Sequence, residues 1–204
     1  MRWIKQATLA GLLVSGAMGA ALAESHDEAS CRALFAGIYT GATAQYPNGT
    51  RSVTKTGGQV MEGRAMSEAE DRWMSMDDTH GIWSMMRGQT GYSSRDEGKS
   101  WTKSFTFTEE QRANAKAESG RRAEAATDVT CTDDVEFEGR PYKRVSGTWK
   151  ASDGTGMSGT STFYLDADGD WYAQEVVMDM AGSKTEITQV RLPEDEWVPV
   201  SEPE

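Results

Sequence analysis

The sequence predicts an α+β fold: a strongly curved antiparallel sheet, an open half-barrel, with helices packed on its concave face. Three observations predict it. Residues 141–192 hold four runs of strand formers, the last three separated by Ala167-Asp168-Gly169 and Ala181-Gly182-Ser183, turn sequences suited to tight reversals, so this stretch is an antiparallel meander. Residues 50–107 repeat the pattern in shorter runs. Residues 25–46 and 108–126 carry instead the three- and four-residue spacing of helices. In the late strands both alternating sets contain apolar groups. Thr160, Thr162 and Tyr164 oppose Ser161, Phe163 and Leu165, while Tyr172, Gln174, Val176 and Met178 oppose Trp171, Ala173, Glu175 and Val177. Neither face has the composition of a plain solvent face, so the sheet is expected to wrap over something.

Taken in order, residues 1–23 read as an export signal: Arg2 and Lys5, an apolar run from Ala7 to Leu22, then Ala21-Leu22-Ala23 as a small-x-small cleavage site. No second apolar segment follows, and no apolar-small pattern of a lipid-acceptor site precedes Cys31, so a soluble periplasmic or secreted protein without an integral membrane segment is expected. About 180 residues remain, enough for one domain with a core, here residues 24–192. The full chain carries 21 Lys and Arg against 32 Asp and Glu, a net charge of −11, and loss of Arg2 and Lys5 makes it more negative still. Such a surface repels phosphate backbones, which excludes nucleic acid as a natural partner. Cys31 and Cys131 are the two cysteines, and in an oxidising compartment they are expected to form one disulfide.

The first helix is predicted over residues 25–46. Ser25 with Glu28 offers a capping box, Cys31, Leu34, Phe35, Ile38, Tyr39, Ala42 and Tyr46 form the apolar stripe, and Pro47-Asn48-Gly49 ends it. Short strands follow at 50–56, 59–66, 72–76, 81–86, 90–94 and 100–108. Within them Ser94, Asp96, Gly98, Ser100 and Trp101 satisfy the Asp-box pattern S/T-x-D-x-G-x-S/T-W, which resembles the hairpin repeated in sialidases. Its implied job is structural: the Asp and Ser satisfy turn amides and the Trp packs beneath. The second helix, 108–126, opens with Thr108 and Gln111 as a capping box, presents mainly alanine as its apolar side, and contains Gly120. It is the element most able to move. A short strand at 135–140 leads into the late meander, and the acidic, proline-rich tail 193–204 is expected to fray.

The order of elements, with Glu138-Gly139-Arg140-Pro141-Tyr142 in the segment 137–144 and Tyr164-Leu165-Asp166-Ala167-Asp168-Gly169 in the segment 164–171, resembles the periplasmic lipoprotein-carrier superfamily, the LolA/LolB-like fold. That resemblance implies an incomplete barrel whose helices plug an apolar cavity for acyl chains. The sequence departs from it in the helix that would act as lid, where alanine dominates, and in a cavity lining of Met and Trp in place of aliphatic residues.

Methionine and tryptophan are concentrated: Met61, Met66, Trp73, Met74, Met76, Trp83, Met85 and Met86, then Trp171, Met178 and Met180. Three readings stand side by side. Met fills irregular core space; a deformable Met-rich surface suits varied apolar ligands; and Met74, Met76, Met178 and Met180 with His80 form a soft donor set for copper(I). Asp166, Asp168 and Asp170 lack the Gly and acidic residue that an EF-hand requires at its sixth and twelfth positions, where Trp171 and Val177 stand, so a solvated turn is expected. With His26 and His80 as the histidines and no nucleophile elbow, no catalytic constellation emerges and no cofactor is expected. The expected function is binding: an exported protein sheltering an apolar small molecule, or the acyl group of a lipidated protein, in a cavity built from Phe35, Ile38, Tyr39, Trp73, Met74, Met76, Trp83, Met85, Trp171, Val176 and Met178. The alternative is a small structural or protein-interaction domain of the cell envelope without a cavity. The oligomeric state is left open.

Overall fold

Eleven strands pair in one antiparallel sheet whose order is β6-β5-β4-β3-β2-β1-β11-β10-β9-β8-β7. In chain order they are β1 (Asn48–Thr56), β2 (Gln59–Ala69), β3 (Arg72–Asp77), β4 (Ile82–Arg87), β5 (Thr90–Ser94), β6 (Thr102–Thr106), β7 (Thr127–Phe137), β8 (Arg140–Lys150), β9 (Ser158–Leu165), β10 (Trp171–Met180) and β11 (Ser183–Arg191). Two helices, α1 (Glu28–Tyr39) and α2 (Glu109–Glu124), complete the α+β fold. This computed structural model describes residues 27–152, 154–180 and 182–201. The export signal, the Ser25 cap and His26 lie outside the described residues.

The chain makes two meanders and joins their outer edges through α2, since β6 and β7 are opposite edges of the sheet. That connection forces curvature. Ten inter-strand spacings of about 4.8 Å would set the edges of a flat sheet roughly 48 Å apart. The 16 residues of α2 span only about 24 Å at 1.5 Å per residue. The sheet therefore curls toward the side on which α2 crosses, the concave face, and the gap between β6 and β7 stays open. At the β7 edge, Asp128 and Asp134 take positive φ of 53° and 54° beside two register shifts. These bulges, with acidic side chains, blunt the edge against pairing with other chains.

The first helix is shorter than its apolar stripe predicts. It ends at Tyr39, with Gly41 at φ 73° and the Ala42 N–H donating to the Gly37 carbonyl. A left-handed glycine just past the last turn stops a helix even when apolar residues continue beyond it. Residues 40–47 then run as an irregular segment, whereas α2 starts where predicted. Its Thr108 side chain accepts from the Gln111 N–H and the Gln111 side chain accepts from the Thr108 N–H.

The core falls into three clusters. Beneath α1 on the concave face lie Phe35, Ala126, Val145, Phe163 and Leu165. On the convex face Met66, Met74, Met76 and Met85 pack with Val200, and farther along the same face Tyr142, Tyr164, Ala173 and Val190 form the third. Over residues 193–201 the tail is docked and not frayed. After a 3-10 turn at Glu194–Glu196, the Trp197 indole N–H donates to the Leu192 carbonyl at 3.1 Å, the Val200 N–H donates to Glu68 at 3.2 Å, and Arg87 donates to the Val200 carbonyl at 2.9 Å. Register explains why it docks there. Gly49, Met66, Met74, Met85 and Tyr92 are consecutive cross-strand partners, a row of thioethers that needs a cover. Trp197 sits over the end of the row at Gly49, where an added Cβ would lie 2.6 Å from the indole.

Candidate ligand cavity

The concave face is built first by α1. Phe35 is fully buried, stacks on Tyr39 with ring centroids 5.5 Å apart, and meets Phe163 at 5.8 Å. It can approach the sheet because Gly147 has no side chain, an added Cβ there lying 2.7 Å from the Phe35 ring. Next to it the Trp149 indole donates to the buried Ser161 hydroxyl at 3.0 Å, which satisfies both polar groups inside the core. The Cys31–Cys131 disulfide fastens the start of α1 to β7 across a sequence separation of 100.

Beyond Tyr39 the helix no longer fills the concavity. Under the irregular segment 40–47 lies a cleft of about 210 Å³. Its apolar walls are Ile38, Ala44, Phe163 and Trp171, and its polar rim is Gln45, Asn48, Thr50, Gln174 and Arg191. Trp171 reaches it because of a β-bulge: Trp171 pairs with Leu165 while Ala173 pairs with Tyr164. An inserted residue breaks simple alternation. Trp171 consequently shares the concave face with Gln174, Val176 and Met178, and Tyr172 shares the convex face with Ala173, Glu175 and Val177. That is the reverse of the grouping that strict alternation predicts for the first two residues of the strand.

From the cleft the concave face continues across a floor of small side chains, since Thr50, Ala65 and Ser75 are successive cross-strand partners. It then reaches Trp73 and Met86, which face each other in register. Phe107 and Arg112, at the start of α2, close a shallow hollow over that pair. Here the cover is thin: Ile82 is 45% exposed and Phe105 is 46% exposed, and α2 is almost wholly exposed from Glu109 to Ala117.

The C-terminal half of α2 is held differently. Glu118 receives Arg122 at 2.9 Å and the Ser152 N–H at 3.0 Å, while Arg122 also lies 5.5 Å over the Trp149 ring. Hydrogen bonds from Ser152, and then from Arg122 and Arg121, hold the Glu118 carboxyl down at about 2. Arg122 also bonds Tyr39, whose phenol burial pushes upward in pKa against that bond. The latch ties α1, α2 and β8 together, so the C-terminal half of the second helix is anchored, against the weak packing expected of its alanine side.

The predicted cavity residues are thus divided between faces. Phe35, Ile38, Tyr39, Trp73, Trp171, Val176 and Met178 belong to the helix side. Met74, Met76, Trp83 and Met85 belong to the other, in or against the cluster under the tail. The copper(I) grouping is divided in the same way, because Met74 and Met76 face the tail while Met178 pairs with Thr185 on the concave side. Met180 ends β10, and His80 sits in an exposed turn with its Nδ1 2.9 Å from Asp77. Sequence spacing puts two methionines on one face of one strand; it does not relate faces of strands far apart. Among the described residues no three His, Cys, Asp or Glu converge as a metal site.

Two other motifs do local work. Asp96 accepts from the Ser100 hydroxyl at 2.6 Å and the Ser100 N–H at 2.9 Å, and Ser94 accepts from the Gly98 N–H at 2.9 Å. Bonds from Ser100, then Ser94, hold the Asp96 carboxyl at about 2. Trp101 packs beneath with the methionines. In the second motif Asp166 accepts from the Asp168 and Asp170 N–H groups, which closes a hairpin turn.

Rim residues Gln174 and Arg191 escape a reading based on apolar patterning, since their signal is polar. The available hint is that each occupies an inward position of its strand, Gln174 alternating with Val176 and Met178 and Arg191 in register with Thr50.

No protein-family model matches the chain, and no curated protein matches it by sequence. Among solved structures, it is similar to a LolA superfamily protein from Nitrosomonas europaea at 9% identity and a TM-score of 0.32, covering 84% of this chain and 97% of that one. It is also similar to a DUF1329 family protein from Desulfovibrio piger at 9% identity and a TM-score of 0.33, covering 83% of this chain and 94% of that one.

Proposed function

We propose that this is an exported binding protein that shelters an apolar group between the concave face of its sheet and its helices. One observation carries the reading. The helices cover the concave face over β7–β9, whereas the same face continues past them as a cleft and then as the apolar pair Trp73 and Met86 under thinly packed helix. At about 30 Å³ for a water-sized group, the 210 Å³ cleft receives only about seven heavy atoms. A longer chain would extend over the Thr50, Ala65 and Ser75 floor, with the first turns of α2 yielding to admit it. The disulfide supports export, because such bonds persist in oxidising compartments. No described helix is long and apolar enough to cross a membrane.

Native mass spectrometry of protein purified without detergent, followed by thermal shift with fatty acids and phospholipids, tests the reading. A ligand present at 100 times its dissociation constant adds about 2.7 kcal/mol to stability, a rise of roughly 5–10 °C for a chain of this size. A protein that carries no lipid mass and gains no stability from any apolar ligand is instead a closed structural or protein-interaction domain.

A further inference from the structure

We propose that the cleft is specific for anionic amphiphiles, with Arg191 seating the carboxylate or phosphate head while Ile38, Phe163 and Trp171 take the first carbons of the chain. This rests on the apolar-binding reading of the same cleft and adds a head-group specificity to it.

Charge at the rim carries the inference. The chain has 32 acidic residues and only 21 basic ones, yet the cleft is lined by one cation and no carboxylate. Among the described residues the Arg191 guanidinium has neither an ion pair nor a hydrogen-bonded partner, unlike Arg64, Arg121 and Arg122, each of which is held by a carboxylate. Asp170, just before β10, is occupied by the Gln45 amide, and Glu194, which shares a second hollow with Arg191, forms no ion pair with it. Arg191 pairs in register with Thr50, and Gln174 faces Phe163 on the adjoining strands, so a hydroxyl and an amide share the cleft lining with Arg191 and the apolar walls. A planar fork of N–H donors matches carboxylate and phosphate oxygens. Since the chain as a whole repels anions, a preference for an anionic ligand has to come from a local group.

The test compares decanoate, decyl phosphate and decanol as ligands of the full chain by calorimetry. Hydrogen bonds to a charged group suggest that the anions bind about tenfold or more tightly than the alcohol. Arg191→Gln should abolish that advantage while leaving decanol affinity within about twofold, and Arg191→Lys should restore part of it. An advantage limited to decanoate identifies a free fatty acid, and one limited to decyl phosphate identifies a phospholipid head. Equal affinity for all three in the natural chain, or an advantage that survives in a folded Arg191→Gln variant, overturns the proposal and leaves the apolar reading standing. If none of the three binds, both fall.

Discussion

On the concave face a helix stapled by a disulfide covers Val145 and Phe163; on the convex face the tail 193–201 covers a row of methionines. The helix arrives with its own backbone hydrogen bonds already made. The tail must satisfy its polar groups through side chains such as Glu68 and Arg87. A cover held by few bonds and little buried area opens at lower free energy than one integrated with the sheet. The comparison teaches that similar apolar surfaces can be sealed with very different permanence, and that the concave seal leaves beside it a cleft with the apolar walls Ile38, Phe163 and Trp171.

The largest expected effect breaks the firmer side. Reducing Cys31–Cys131, which closes a loop of 100 residues, should cost about 4 to 5 kcal/mol in the chain-entropy account and lower the melting temperature by roughly 10–20 °C. Calorimetry with and without reductant measures it, and ligand binding in the adjoining cleft should weaken as well.

Truncation after Leu192 breaks the other side. Exposing the sites of Val200 and Trp197 should cost about 2–4 kcal/mol. It should raise binding of an apolar dye at the uncovered methionine row and leave decanoate affinity unchanged. Loss of decanoate binding in this variant would contradict the separation of the two faces.

Acid pH sharpens the comparison, because one strongly depressed carboxyl serves each side: Glu118 in the latch on the helix side, and Asp96 in the turn above Trp101. Both are held at about 2, so the unfolded chain takes up these protons first. The stability they contribute is present above pH 4.5 and is lost as the pH falls from about 4.5 through 2. Glu118→Gln and Asp96→Asn should each flatten part of that fall in melting temperature. An unchanged profile in both variants would refute the assignment.

The smallest effect is a gain. Gly120 has ordinary helical φ and open space around its missing Cβ. Gly120→Ala should therefore stabilise the chain by about 0.5–1 kcal/mol, read in denaturant midpoint, and stiffen α2 next to its latch.

The sequence by itself determined the fold class, most strand positions, the capped start of α2 and the cysteine pair, because periodicity, turn chemistry and caps act over a few residues. It did not determine where α1 stops, since the apolar stripe runs past Gly41, and only the left-handed backbone there ends the helix. Nor could it sort the cavity residues by face. Met74 and Met178 look equivalent along the chain, yet face assignment depends on register summed across several strands. A single bulge exchanged the sides of Trp171 and Tyr172. The tail looked like solvent-exposed chain because its charges and prolines are visible locally, whereas the methionine row that retains Trp197 and Val200 exists only after β2, β3 and β4 pair. Tertiary structure decided in the same way that Arg191, from the end of the last strand, is the cation in the wall of an apolar cleft that no carboxylate lines.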